Sequence, residues 1–253
     1  MSTSFIPAII TATVAFIAAV VAQWLSHFFS RKRESVKDYK EINQELIFPS
    51  LNDIILFIET EIHYRKGHDV EITINTEQLI ESIQSKISYG NSDLINSIYR
   101  YRNSISYFDG RGEAENMSIF EVFFSFLDYA YEVMKKSNYS DSYLLNIIRK
   151  NQKLYGMSFI LTDLVGKEQA IYILSHKWLW SSNFLEKVSI GNIKKIIENY
   201  NDSTIDYHEL ICFISLIKIG FEESPDIETF DNLMNSIEDI IKELKNRWRN
   251  SEG

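Results

Sequence analysis

Charge is absent from the first 30 residues of this chain. No Asp, Glu, Lys or Arg occurs between Met1 and Ser30, and all 26 basic and 35 acidic residues follow. A run that apolar is excluded from an ordinary solvated surface. Proline and glycine are also scarce, with three and nine in 253 residues, which disfavours a turn-rich β architecture and points to helix. Cys212 is the sole cysteine, so no intrachain disulfide can form and a reducing compartment suits the chain. Its apolar neighbours, Leu210-Ile211 and Phe213-Ile214, predict a small core residue. There is no glycine-rich phosphate loop, nucleophile elbow, HExxH pair or internal repeat. The net charge of −9 argues against bulk nucleic-acid binding, which needs many phosphate-neutralising cations.

Phe5 to Phe29 is long enough to cross a bilayer as a helix, with room for tilt. Val20 and Ala22 would fit a signal-peptidase site. However, no basic residue precedes the run, and the run exceeds the apolar length of a signal peptide. Arg31, Lys32 and Arg33 follow it, with Lys37 and Lys40 beyond. The positive-inside bias therefore predicts a single-pass anchor with its N-terminus outside and the body in the cytoplasm.

The anchor has two unlike faces. Ala8, Ala12, Ala15, Ala19, Ala22 and Ser26 recur alternately four and three apart, a stripe with the period of helix pairing. Ile10, Ile17, Val21, Trp24 and Phe28 form a bulkier stripe. Small residues let membrane helices approach closely, so the stripe predicts a homo-oligomer, and a pore if the helices enclose one. An ordinary alanine-rich anchor is the plainer alternative. Thr11 and Gln23 complete the predicted pore or oligomer face, since polar groups at membrane depth face a partner or a wet cavity. His27 reads more simply as reaching headgroups, as Trp24 does.

The remainder predicts helices joined by short connections: an all-α protein in which the N-terminal transmembrane helix (1–30) leads through juxtamembrane helices (31–66) to a cytosolic multi-helix domain (67–253). Arg33–Phe48 forms one helix that Pro49 breaks or kinks, and Ser50–Lys66 forms a second that Gly67 ends. Val70–Ile74 reads as an extended loop or a short strand. Asn75 caps a helix to about Ser88, and Ser92–Phe108 follows before the turn Asp109-Gly110-Arg111-Gly112. Ser118 and Glu121 have capping-box spacing, which predicts a helix start there, running to about Lys136 and rich in core aromatics. Further helices are expected at 141–165, bent near Gly156, and at 167–180, 190–200, 205–221 and 226–249, with Pro225 in the first turn of the last.

Chemistry is thinly signalled. His63, His68 and Asp69 lack further ligands for a metal, and Asp206, His208 and Glu209 fit a helix start stabilised by its dipole. An Arg-polar start at Arg100, Arg102 and Asn103 resembles HEPN-type ribonucleases, but the required His is missing from 104–109, which excludes that type. No metal, cofactor or catalytic residue is expected, and the chain reads as no enzyme. Three basic-aromatic groups remain as candidate ligand contacts, able to grip phosphates and stack a base: Arg100 and Arg102 with Tyr99 and Tyr101; Arg149, Lys150 and Lys153 with Tyr155; and Trp178 and Trp180 beside His176 and Lys177. Each is equally a solvated helix face with an aromatic core side.

The layout resembles the membrane effectors of bacterial anti-phage defence. The resemblance is carried by the stripe Ala8–Ser26, the stop Arg31-Lys32-Arg33-Glu34 and the juxtamembrane Tyr39, Leu46-Ile47-Phe48-Pro49. Among these it is similar to the Hailong B type, a channel whose cytosolic crown is held shut by a bound DNA oligomer. The resemblance implies an ion-conducting homo-oligomer gated by its cytosolic domain, with a nucleotide or oligonucleotide regulator. The alternative is a non-conducting anchored scaffold that recruits a partner protein.

Overall fold

Helix α1 (Phe5–Ile42) runs without interruption from the charge-free stretch into the charged one. It continues through a π-helical turn (Asn43–Ile47) directly into α2 (Phe48–Glu61). The expected break at Pro49 is thus replaced by a change of helical gauge. Pro49 cannot donate to the carbonyl four residues back, and its ring crowds that carbonyl. The wider turn, closed by the Phe48 N–H on the Asn43 carbonyl, relieves this and leaves proline in the first turn of α2. The α2 helix ends at Glu61 rather than Lys66, and Gly67 takes a positive φ of 84° in the loop beyond.

The computed structural model describes residues 5–71, 74–106, 112–137, 141–176, 184–222 and 231–251. Among them the fold is all-helical. The helices are α3 (Thr76–Ser85), α4 (Ser92–Ser106), α5 (Ala114–Lys136), α6 (Ser142–Val165) and α7 (Lys167–Leu174), then α8 (Phe184–Lys187), α9 (Ile190–Asn201), α10 (Tyr207–Glu222) and α11 (Asp231–Ser251). A 3₁₀ turn (Ile87–Tyr89) follows α3, and the only β-type pairing among the described residues is an isolated bridge of Lys66 with Val70. Residues 109–111, 177–180 and 225–230, on which a turn, a helix end and a helix start are expected, lie outside the described residues.

Several starts are local and legible. The Asn75 side chain accepts from the Gln78 N–H and caps α3, and Asp141 accepts from the Tyr143 and Leu144 N–H groups to cap α6. The Ser118–Glu121 spacing misleads, because α5 begins at Ala114 and both residues lie inside it, buried. Ser118 Oγ instead donates to the Glu115 carbonyl and meets Ser104 Oγ at 2.7 Å. The true N-cap, Glu113, turns its carboxylate to another helix and accepts from the Lys167 N–H at the start of α7.

Helix α5 is the centre of the body, packed against α4 and α6. Every residue from Met117 to Leu127 is buried. Phe123 meets the rings of Phe57 and Tyr155 edge-on at 5.8 and 5.4 Å. Helix α6 is continuous through Gly156, where a bend is expected. A Cβ there would lie 2.3 Å from Ile193 Cγ2 and 3.1 Å from the Phe124 ring, so glycine serves close packing of α6 on α5 and α9. Helices α10 and α11 pair with each other, and Ile237 and Leu244 of α11 reach the shared core. Cys212 is exposed on α10, not buried as its neighbours suggest. It sits one turn from His208, with Phe213 and Ile214 turned to the core instead.

Candidate functional site

The first region is α1 itself. Every residue from Ile10 to Lys32 is exposed, and none of its apolar stretch packs on the body. Phe16 is 70% exposed and Trp24 65%, so no side of the helix is shielded. The helix is long and apolar enough to cross a membrane. Ala12, Ala15, Ala19, Ala22 and Ser26 are exposed along it, with Thr11 and Gln23 beside them, and Ala8 belongs to the same helix. Trp24 and Phe28 stack at 6.0 Å near its charged end.

The second region is the junction that hands α1 over to the body. Tyr39 and Ile42 pack on the core, while Leu46, Ile47, Ile54 and Ile58 are fully inside it. Polar bonds flank the π-helical turn. Glu41 accepts from Tyr89 Oη at 3.0 Å, Glu45 accepts from Lys86 Nζ at 2.9 Å, and buried Asn43 donates to Ser137 Oγ at 2.9 Å. Tyr129 Oη donates to the Tyr89 carbonyl at 2.6 Å and braces that contact. Deeper, Tyr155 Oη donates to the Ile54 carbonyl at 2.5 Å and joins α6 to α2. Burial pushes the Tyr155 phenol well above its ordinary value, and the hydrogen bond to Glu41 raises that of Tyr89. An uninterrupted helical rod thus enters the body and is bonded to it at several points.

The third region is a polar seam on the otherwise apolar α5. Glu121, Ser125, Asp128 and Glu132 recur four, three and four apart, which puts them on one stripe. Glu121 is buried and accepts from Arg100 through two guanidinium nitrogens, at 3.0 and 2.5 Å, and from Asn201 at 2.8 Å. Asp128 accepts from Arg149 at 2.9 Å and from Gln152 at 3.0 Å. The Arg149 guanidinium also lies 3.5 Å from the centre of the Tyr131 ring. Lys194 donates to Asp93 at 2.7 Å, a bond that raises its pKa. A cleft of about 160 Å³ opens here between α4, α5 and α9, lined by Asp93, Arg100, Glu121, Asp128, Lys194 and Asn201 among others. Acids outnumber bases along it, so an anionic ligand would have to displace carboxylates already bound to the cations.

The structure brings two of the sequence's candidate cations, Arg100 and Arg149, to this one seam. It separates the rest. Arg102 points to Gln84 Oε1, Tyr99 is exposed, and Tyr101 is a core residue. Lys153 donates to the Leu185 carbonyl at 2.5 Å, and burial lowers its pKa. Lys150 is half-buried on α6, and Trp178 lies outside the described residues. The sequence marks Glu121 only as a capping-box residue and does not single out Asp128 or Glu132, although their four-three spacing within an aromatic run is the available signal. No group of three metal-ligating side chains occurs among the described residues. Comparison of the chain with protein-family models, curated proteins and solved structures gave no match.

Proposed function

We propose that the chain is a single-pass protein of the bacterial inner membrane, with α1 in the bilayer and the body in the cytoplasm. The exposure of α1 on every side carries this reading. Ten large apolar side chains (Ile10, Val14, Phe16, Ile17, Val20, Val21, Trp24, Leu25, Phe28 and Phe29) stand in solvent on one helix. Moving them out of water is worth on the order of 10–20 kcal/mol, which a bilayer supplies and the body does not. The alanine stripe lets copies of α1 associate, and the assembled helices form an ion-conducting pore that acts in anti-phage defence. The body gates it through the continuous rod of α1, the π-helical turn and α2, since a regulator acts only by binding one state better than another.

The test is ion flux from vesicles holding the full-length protein, with oligomeric state measured on the same samples. We expect the wild type to assemble and conduct, and Ala15→Leu to lose about tenfold or more of both by blocking close approach. A monomeric wild type would remove self-association from the proposal. An assembled wild type that never conducts would leave the anchored scaffold instead.

A further inference from the structure

We infer that the cytosolic turns of α1, residues 31–41, form a head-to-tail interface in which the basic face of one copy seats on the acidic face of the next. This rests on the self-association proposed above and specifies its geometry. Lys32, Arg33, Lys37 and Lys40 gather on one side of α1 around Phe29 and Val36. Glu34, Asp38 and Glu41 lie on another. At about 100° per residue, the centres of the two faces are about 125° apart around the helix. The body occupies the remaining side through Tyr39 and Ile42, and leaves both charged faces exposed. Glu41 is already bonded to Tyr89, so Glu34 and Asp38 are the free part of the acidic face.

Opposite charges stand within the helix at Arg31 and Glu34, Glu34 and Lys37, and Lys37 and Glu41, but none of these pairs closes into an ion pair. Arg33 with Lys37, and Glu34 with Asp38, are like charges four residues apart, an arrangement that disfavours an isolated helix. Lys32, Lys37, Lys40, Glu34 and Asp38 make no ion pair among the described residues. Both faces are exposed and open to an outside countercharge. An anionic lipid surface answers only the basic one and repels the other, whereas a second copy answers both. A two-fold dimer would use one self-complementary patch. Two different faces less than half a turn apart are what a closed ring of head-to-tail copies needs. The alanine stripe lies between them around the helix, at about 40° from the basic face and 85° from the acidic one, and so turns toward the ring axis.

The test is charge exchange in the full-length protein, read by light scattering in mild detergent. Lys37→Glu with Lys40→Glu cancels the net charge of the basic face, where Lys32 and Arg33 remain, and Glu34→Lys with Asp38→Lys makes both faces basic. Arg31, Lys32 and Arg33 stay in place to keep the membrane orientation. We expect each pair alone to lose about tenfold or more of the assembled form, since several attractive contacts become repulsive. Co-expression of the two pairs restores assembly as a mixed oligomer, since the unchanged acidic face of the first pair meets a basic face of the second. Assembly unmoved by either pair, or co-expressed pairs as dissociated as each pair alone, would overturn the interface. A wild type that is itself monomeric would overturn the self-association instead, which is a separate result.

Discussion

Arg100 and Arg102 stand two residues apart on α4 and have different surroundings. Arg100 grips Glu121, whose side chain is 4% exposed, while Arg102 reaches the side chain of Gln84 at the surface. Removing Arg100 leaves a buried carboxylate with only Asn201, so Arg100→Ala should destabilise the body by about 2–3 kcal/mol. That estimate is kept below the fully buried case because the arginine itself is about one-third exposed. Arg102→Ala should cost about 0.5 kcal/mol or less. Denaturant unfolding of both variants checks this, and equal effects would contradict the assignment. In sequence the two arginines are alike, each flanked by tyrosine. Their fates differ because helix α5 presents a carboxylate to one and not to the other, a fact of packing between residues 21 apart.

At the scale of elements, the junction was partly legible. Apolar spacing at Tyr39, Ile42, Leu46, Ile54 and Ile58 marks a helix with a core-facing side, and that side is where the structure buries it. Pro49 reads as a break because proline ordinarily ends or kinks a helix. What absorbs it is one extra residue in the turn before, a solution that depends on Asn43 reaching Ser137 some 94 residues later. Deleting Gln44, which is exposed in that turn, should force regular α-helix onto Pro49 and cost about 3 kcal/mol. Pro49→Ala alone should be nearly neutral, and the double change should recover most of the loss. Thermal melts of the four proteins measure that coupling, and simple additivity would show that proline does not maintain the π-helical turn.

For the whole molecule, pH exposes how much of the body depends on protons held in place. Burial raises Tyr101, Tyr129 and Tyr155 above their ordinary value of 10.0, and a hydrogen bond to Glu41 raises Tyr89. Lys86 and Lys194 are raised above 10.5 by their bonds to Glu45 and Asp93. In each case the unfolded chain releases its proton first as pH climbs. Their stabilisation is complete below the unfolded values and is lost as pH rises through the folded ones. Lys153, lowered by burial, works in the opposite sense and gains as pH approaches 10.5. The tyrosines and lysines outnumber it, so unfolding midpoints should fall above about pH 10. Tyr155→Phe should flatten part of that fall. A midpoint unchanged to about pH 11 would contradict the buried placement of these phenols.

Sequence by itself determined that the chain is helical and that its first stretch is too apolar for water. Both follow from local chemistry: scarce proline and glycine, apolar spacing near 3.6, and 30 residues without charge. It also determined the cap at Asn75, whose side chain accepts from an N–H three residues on. Tertiary structure alone decided what Glu113, Glu121 and Cys212 do. Glu113 accepts from the Lys167 N–H of α7 and from the Asn116 side chain rather than from a backbone N–H of its own helix, Glu121 binds Arg100 and Asn201 instead of opening a helix, and Cys212 faces outward from an apolar sequence. In each case the deciding partner, or the lack of a covering helix, lies far along the chain. A side chain's local preference is weak beside a charge-assisted bond or the burial of a neighbouring face, so packing settles its role.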